Sequence, residues 1–226
     1  MTEPRTPSLL YDAIEKEYAW RITELSNFKN SVLLTKGKAQ DGMLRAGTAL
    51  LYAHWEGFVK KISDLYYEFV TYQNLKIQEL NDAFVGIALR SEIELLLKSK
   101  KLSQHSKLVK ILIEEKQKQA HFSSNSPIKT ANLNYEVFED VCVLIGIDPS
   151  LFSKRYRVSF DRSMELTIDE DLVKRRNNIA HGEYLVVTAE EYKDLYNTVV
   201  NGFLYNFKEI IMDAIQTRNY IRKLLK

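Results

Sequence analysis

The stretch LYAHWEGFVKKISDLYYEF, residues 51–69, decides the fold class of this chain. Its large apolar side chains recur at intervals of four, three, four, three and four residues: Leu51, Trp55, Phe58, Ile62, Leu65 and Phe69. This spacing places them along one side of an α-helix, because each residue advances by about 100° round the helix axis. The pattern continues on both sides of the stretch and predicts one long helix over residues 41–80.

The composition of the whole chain agrees with a helical protein. Its 226 residues include only 8 glycines and 4 prolines, fewer than turn-rich sandwiches and barrels use. The single cysteine, Cys142, excludes a disulfide within the chain and a multi-cysteine zinc site. The 32 basic and 30 acidic side chains leave a net charge of +2, which excludes a chain that binds nucleic acid as a polycation throughout. With only 4 histidines, we expect neither a metal nor another cofactor.

Periodicity and capping signals predict an all-α bundle in a single domain over residues 1–226. The predicted core helices span about residues 8–35, 41–80, 133–146, 167–182 and 188–224, and a helical insertion occupies about residues 81–130. Within the insertion we expect helices over residues 81–100 and 106–120, followed by a loop to residue 130. A second loop is expected over residues 155–163.

No targeting or membrane segment is expected from the sequence. Residues 1–7 lack the apolar core of a secretion signal. No uninterrupted apolar run approaches the roughly 18 residues that indicate a membrane span. We therefore expect a cytoplasmic protein without membrane contact.

A cluster of polar residues marks the end of the predicted helix 167–182. The segment VKRRNNIAHGEY, residues 173–184, contains two arginines, two asparagines and one histidine within seven residues. Asn177 lies four residues before His181 and shares its face of the helix, and Asn178 lies partly on that face. Arg176 lies about 140° round from His181 but its side chain can swing back, whereas Arg175 points away.

An arginine, an amide and a histidine at one place suit the cleavage of RNA without a metal. A histidine can take up or release a proton near neutral pH, and an arginine can hold the scissile phosphate through two donors. RNA supplies its own nucleophile, the 2′-hydroxyl, and a two-fold dimer would supply a second histidine. A structural interpretation stays open, because basic side chains at the C-terminus of a helix also complement its dipole.

The same segment resembles the R-x4-6-H motif of the HEPN superfamily, with Arg176, four intervening residues and His181. The polar residue directly after the arginine, here Asn177, is also usual in HEPN ribonucleases. The stretch LLYAHWEGFV, residues 50–59, is similar to the matching helix of the MAE-type and RiboL-PSP-type branches. The resemblance covers about residues 40–80 and 133–215, and residues 81–130 match nothing that we can name.

The resemblance implies a four-helix up-and-down bundle that forms a homodimer, with a metal-independent endoribonuclease site shared by the two copies. It implies that His181 transfers protons, that Arg176 binds the phosphate and that Asn177 orients one of them, with Arg175 as the reserve arginine. It also implies a toxin or phage-defence effector, with RNA as substrate and an antitoxin or defence protein as a possible partner. The alternative is a HEPN module that binds a nucleotide, RNA or protein without catalysis.

One position departs from the family pattern. Some HEPN toxins carry a tyrosine two residues after the histidine, which a partner nucleotidyltransferase modifies. Here that position is Glu183, and Tyr184 comes one residue later. We therefore do not expect control by that route, and Tyr184 is assigned a supporting role beside the site.

Other residues are candidates for support or for contact with RNA. Glu56 borders the apolar stripe, where it could pair with an arginine of the motif or simply be a half-exposed glutamate, and Asn178 is a further supporting candidate. Lys174, Arg155 and Arg157 are candidates for RNA contact, since the segment 155–162 mixes basic and aromatic residues that could stack on unpaired bases. An ordinary surface loop is the alternative there.

Two further features have ordinary structural interpretations beside the functional ones. Residues 98–118 contain seven lysines against two glutamates, which would attract RNA or form a solvated helical face. His54 borders the apolar stripe and is expected to be a buried structural histidine. His105 and His121 lie in a polar region without a carboxylate placed to complete a zinc site.

Overall fold

The computed structural model describes residues 3–99, 101–157 and 163–223, and within these ranges the chain forms nine helices and no strand beyond isolated bridges. Seven are regular: α1 Pro7–Leu34, α2 Lys38–Thr71, α3 Asp82–Ala88, α4 Arg90–Lys98, α5 Leu102–Ile113, α6 Tyr135–Leu144 and α7 Pro149–Arg157. The other two each contain a π-helical segment. Helix α8 runs through Met164–Leu166, Thr167–Lys174 and Arg175–Ala180, and α9 through Ala189–Asn197, Thr198–Leu204 and Tyr205–Gln216. The predicted all-α fold is confirmed.

Helix α2 lies at the centre of the bundle, and α1, α8 and α9 pack around it. The predicted apolar stripe is buried, since none of its six side chains exposes more than 4% of its surface. Trp55 sits in the middle, with its ring centroid 5.0–6.2 Å from the rings of Phe138, Phe152, Phe203 and Phe207. Burying this aromatic cluster fixes the rotation of α2 about its own axis.

A π-helical segment shapes α8 before it reaches the candidate motif. Thr167 and Leu172 are both buried, as are Ile168 and Val173, so burial repeats every five residues. This is the repeat of a π-helix, in which each turn holds more residues than an α-helical turn. The segment keeps one face against the core and sets the rotation of the regular turn that follows it.

Two predicted core helices end earlier than their sequence patterns indicate. Helix α2 ends at Thr71 rather than near residue 80, because Asn74 adopts a left-handed conformation with φ +51°. The chain then pairs with residues 116–119, where the Ile77 N–H donates to the Lys118 carbonyl at 3.1 Å. Helix α9 ends at Gln216 rather than 224, because Arg218 is left-handed with φ +50° and the following residues fold back.

The insertion also differs from its prediction. The expected helix over residues 81–100 is divided at Leu89 into α3 and α4, since Phe84 and Ile87 of α3 are buried whereas no residue of α4 is. The expected helix over residues 106–120 is α5, which begins earlier, at Leu102, and ends at Ile113. Its predicted last turns are unwound because the backbone of residues 116–119 bonds to the segment after α2.

The expected loop over residues 155–163 is wrong in its first part. Arg155 belongs to α7, whose start is stabilised by Asp148, which accepts a hydrogen bond from the Ser150 N–H at 2.9 Å. Residues 158–162 and the side chain of Arg157 lie outside the described part of the chain. Helix α8 begins three residues before the predicted position, because Ser163 caps it by accepting from the Leu166 N–H.

In the described ranges, none of the helices has the length and apolar character that a membrane crossing requires.

The close approach of α1, α2 and α9 at Gly47 gives a test of the packing. A side chain added at Gly47 would lie 2.7 Å from the ring of Tyr192, which is fully buried and cannot move aside. We expect Gly47→Ala to lower the free energy of unfolding by about 1–3 kcal/mol, because overpacking a close-packed core forces shifts. Urea denaturation measures this change.

The matched control is Gly42→Ala, five residues earlier in the same helix. No atom lies within 4 Å of a side chain added at Gly42, so this substitution should raise the free energy of unfolding by about 0.5–1 kcal/mol. Stabilisation by both substitutions would contradict the close packing at Gly47.

Candidate active site

The C-terminus of α8 ends in a turn that holds His181 at the surface. The Glu183 N–H donates to the Asn178 carbonyl at 2.9 Å, and the Gly182 N–H donates to the carbonyl three residues before it at 3.1 Å. This pair of bonds needs a left-handed residue, and Gly182 supplies it with φ +79°. His181 is exposed, and its imidazole makes no hydrogen bond within the described part of the chain. Both ring nitrogens are therefore open to a ligand.

Arg176 lies against α2 through its planar guanidinium. The group sits 4.2 Å from the ring centroid of Tyr52 and donates to the side-chain oxygen of Asn132 at 3.2 Å. Its Nε is buried and has no hydrogen-bond partner. Among the described residues no carboxylate lies within ion-pair distance of Arg176. Its positive charge is held in place but not neutralised, which is the condition for binding an anion.

Tyr52, whose ring contacts this arginine, is held in place through its hydroxyl. It accepts a hydrogen bond from the Leu133 N–H at 2.7 Å. Burial, together with a hydrogen bond to the Glu56 carboxylate, raises the pKa of Tyr52 to about 12. The hydroxyl therefore stays protonated at neutral pH. Glu56 contacts Tyr52 rather than an arginine, so a direct pairing of Glu56 with Arg175 or Arg176 is not formed in the described structure.

A groove of about 600 Å³ opens between α2 and the end of α8. Its polar wall is formed by Tyr52, Glu56, Asn132 and Arg176. The remaining wall is small and apolar: Ala49, Ala53, Gly57, Ala131, Ile179 and Ala180. His181 follows Ala180 directly and so stands at the rim. An uncompensated guanidinium inside and an imidazole at the rim can bind a phosphate and move a proton next to it.

The two adjacent arginines point to different places. Arg175 lies 3.6 Å from a carboxylate oxygen of Asp171 and 3.4 Å from one of Glu191. Glu191 also completes a capping box at the start of α9 by accepting from the Thr188 N–H. Arg175 therefore ties α8 to α9, and the groove is lined by Arg176. Asn177 and Asn178 are half-buried.

The other basic candidates are paired with acids. Lys174 bonds Glu170 within α8 at 2.6 Å. Arg155 bonds Asp213 and thereby joins α7 to α9. The lysines of α5 are exposed, which agrees both with attraction of RNA and with a solvated helical face. None of these side chains lines the groove between α2 and α8.

Two residues of the site have no signal in the sequence. Asn132 is left-handed, with φ +57°, and reaches Arg176 across 44 positions of chain. Arg45 donates to the Glu183 carbonyl at 2.8 Å and lies 5.8 Å from the ring centroid of Tyr184. An asparagine in a polar loop and an arginine in a helix are common, and only the tertiary fold brings them to the motif.

His54 has a structural position, as expected. It is 4% exposed, its Nε2 lies 2.9 Å from Glu24, and its ring lies beside that of Trp20. Burial lowers the pKa of His54, with the Glu24 carboxylate opposing and the Arg21 guanidinium adding to that shift. The imidazole belongs to the contact between α1 and α2 and is not among the residues that line the groove.

Comparison with protein families gives one clear result. The family model described as RiboL-PSP-HEPN matches residues 16–213 of the chain. The matched range includes α2 and α8, which form the groove, and it also includes residues 81–130, which had no named counterpart. No curated protein and no solved structure matches the chain.

The hydroxyl of Tyr52 gives a test of the groove's support. Tyr52→Phe leaves the fully buried Leu133 N–H without its acceptor. We expect the free energy of unfolding in urea to fall by about 1–3 kcal/mol. The control is Tyr192→Phe, because the Tyr192 hydroxyl is buried without a partner in the described structure, so its loss should not destabilise. Equal losses from both variants would refute the assigned role of the Tyr52 hydroxyl.

His54 predicts a pH dependence of stability. Its pKa in the folded protein is lowered, and unfolding restores an ordinary value of about 6.5. Near that pH the unfolded chain binds more protons, so the free energy of unfolding should decrease as the pH falls through about 6.5. Urea titrations between pH 8 and pH 5.5 should show a smaller decrease for His54→Gln than for His105→Gln, in which an exposed histidine is changed. The same decrease in both would contradict the prediction.

Proposed function

Because the chain belongs to the RiboL-PSP-HEPN family, we propose that it is a metal-independent endoribonuclease whose active site is the groove between α2 and α8. The observation that carries the proposal is the arrangement of Arg176 and His181. Arg176 is fixed in the groove without an acidic partner among the described residues, and His181 is open to a ligand at its rim. A phosphate held by the first would present its neighbouring oxygens to the second.

The reaction is an attack of the RNA 2′-hydroxyl on the adjacent phosphorus. The oxygen–phosphorus bond to the 5′-oxygen of the next nucleotide breaks, which leaves a 2′,3′-cyclic phosphate and a 5′-hydroxyl. A base removes the proton from the 2′-hydroxyl and an acid supplies one to the leaving oxygen. Arg176 stabilises the charge that grows on the phosphate oxygens.

The remaining groups around Arg176 are assigned supporting roles. The neutral hydroxyl of Tyr52 and the amide of Asn132 hold the guanidinium without neutralising it. The Glu56 carboxylate keeps the Tyr52 hydroxyl oriented. Asn177 is assigned to orienting Arg176 or His181, since its side chain is polar, half-buried and adjacent to Arg176 in the chain.

Two copies of the chain would complete the site. One histidine cannot serve easily as base and acid in the same step, and a two-fold dimer would bring a second His181 to the same cleft. The apolar part of the groove wall on α2 consists of Ala49, Ala53 and Gly57, which are small enough to let a partner helix approach closely. A homodimer is therefore part of the proposal.

A second function is favoured by one observation. Among the described residues, no side chain fixes the tautomer of the His181 imidazole. A catalytic histidine is usually oriented by a second group. If the partner copy does not supply that group, the groove would bind a nucleotide, RNA or protein without cleaving RNA.

The biological role follows from the reaction. A protein that cleaves cellular RNA stops growth unless it is controlled, so we place it as a toxin or phage-defence effector in the cytoplasm, with an antitoxin or trigger protein as its controlling partner. The position two residues after His181 is Glu183, so control by modification of a tyrosine there does not apply.

Cleavage of RNA in EDTA tests the proposal. Purified protein incubated with mixed-sequence RNA should produce fragments with 2′,3′-cyclic phosphate and 5′-hydroxyl ends. His181→Ala and Arg176→Ala should each lower the rate by about 100-fold or more, the contribution typical of a proton-transfer group. End-group analysis by mass spectrometry and gel assays measure both effects.

The matched controls are His105→Ala and Arg90→Ala, which change exposed residues of α5 and α4. They should cleave at the rate of the wild type, and this rate beside the loss in His181→Ala and Arg176→Ala would exclude a contaminating nuclease. Absence of cleavage by the wild type, or equal rates in all four variants, would refute the ribonuclease. A strictly monomeric mass in solution would refute the shared site.

A further inference from the structure

An exposed aromatic ring lies directly beyond the turn that carries His181. Tyr184 keeps 81% of its surface exposed, more than any other aromatic side chain in the described ranges. A tyrosine usually covers its ring and leaves only the hydroxyl in water. Here the ring itself is presented to solvent beside the groove, which is unexpected for a side chain of purely structural use.

The chain holds this ring in place from two sides. The Schellman-type turn fixes the backbone of Glu183 through its bond to Asn178 at 2.9 Å. Arg45 donates to the Glu183 carbonyl at 2.8 Å, and its guanidinium lies 5.8 Å from the ring centroid of Tyr184. The Nε of Arg45 is buried without a partner. The ring is therefore anchored at its base and supported by a cation.

The ring is close enough to His181 to contact the same ligand. The two lie three positions apart in the chain, so their Cα atoms are at most about 11 Å apart even in an extended chain. On α2, Arg45 precedes Tyr52 by seven residues, or about 10 Å along the axis. The ring therefore lies within reach of a ligand bound beside His181.

We propose that Tyr184 and Arg45 form a stacking site for an unpaired RNA base next to the scissile phosphate. The proposal rests on the proposed ribonuclease function and specifies its substrate as single-stranded RNA. Aromatic rings bind any base by stacking, and a paired base cannot offer its face to the ring. The exposed carboxylate of Glu183 would repel a phosphate there, so the site takes the base rather than the backbone.

Binding of a fluorescein-labelled, unpaired oligoribonucleotide of mixed sequence tests the proposal, with the same strand annealed to its complement as comparison. Tyr184→Ala and Tyr184→Leu should weaken binding of the unpaired strand by about 5- to 150-fold. Tyr184→Phe keeps the ring and should bind as the wild type does. Arg45→Lys keeps the charge but loses the planar group, and it should weaken binding less than Tyr184→Ala.

The control is Tyr205→Ala. Tyr205 is half-exposed, and the Nζ of Lys208 lies 5.6 Å from its ring centroid. This tyrosine lies in the second half of α9, and the variant should bind RNA as the wild type does. Equal losses in Tyr205→Ala and Tyr184→Ala, or unchanged binding in Tyr184→Leu, would overturn the stacking site. Unchanged binding in Arg45→Lys would overturn the part assigned to Arg45.

The mass of each variant in solution separates RNA contact from contact between copies. Loss of RNA binding with an unchanged mass supports stacking, whereas a parallel loss of self-association would show that the ring belongs to a protein interface and overturn the proposal. Tyr184-dependent binding without cleavage by the wild type would retain the stacking site and refute the ribonuclease. If Tyr184→Leu cleaves RNA at the rate of the wild type, the ribonuclease would be retained and the stacking site refuted.

Discussion

Burial of the aromatic cluster around Trp55 is the constraint on which the site depends. Four phenylalanine rings from α6, α7 and α9 enclose this side chain and leave α2 one rotation about its axis. With about 100° per residue, Tyr52, Arg45 and Glu56 then stand about 60–100° round from Trp55, on one strip at the border of the core. Tyr52 is buried there, whereas Arg45 and Glu56 are half-buried.

Helix α8 meets that strip through its π-helical segment. The five-residue repeat of burial turns the last regular turn so that Arg176 faces Tyr52, while Arg175, one residue earlier, faces Asp171 and α9. Arg175 thus stabilises the packing of α8 against α9, and Arg176 remains available for an anion. An α-helical repeat through the same residues would alter this division, because each turn would hold fewer residues.

Local signals predicted most of the fold, and distant contacts account for what was missed. The stripe on α2 depends on neighbours a few residues away, and it is confirmed; the glycine that ends α8 and the capping box at Thr188 are local in the same way. The ends of α2, α5 and α9 were wrong because segments far apart in sequence pair there or fold back. Asn132 was missed for the same reason, since its partner lies 44 positions away.

The surroundings of Arg176 leave its positive charge available in the groove. A partly buried guanidinium with no carboxylate at ion-pair distance among the described residues, as at Arg176, is costly to desolvate unless polar groups contact it. Tyr52 offers the face of a neutral ring and Asn132 a single amide oxygen, and both leave the net charge intact. A carboxylate in either place would stabilise the fold more and bind a phosphate less. The residues around Arg176 therefore favour anion binding over the strongest available ion pair.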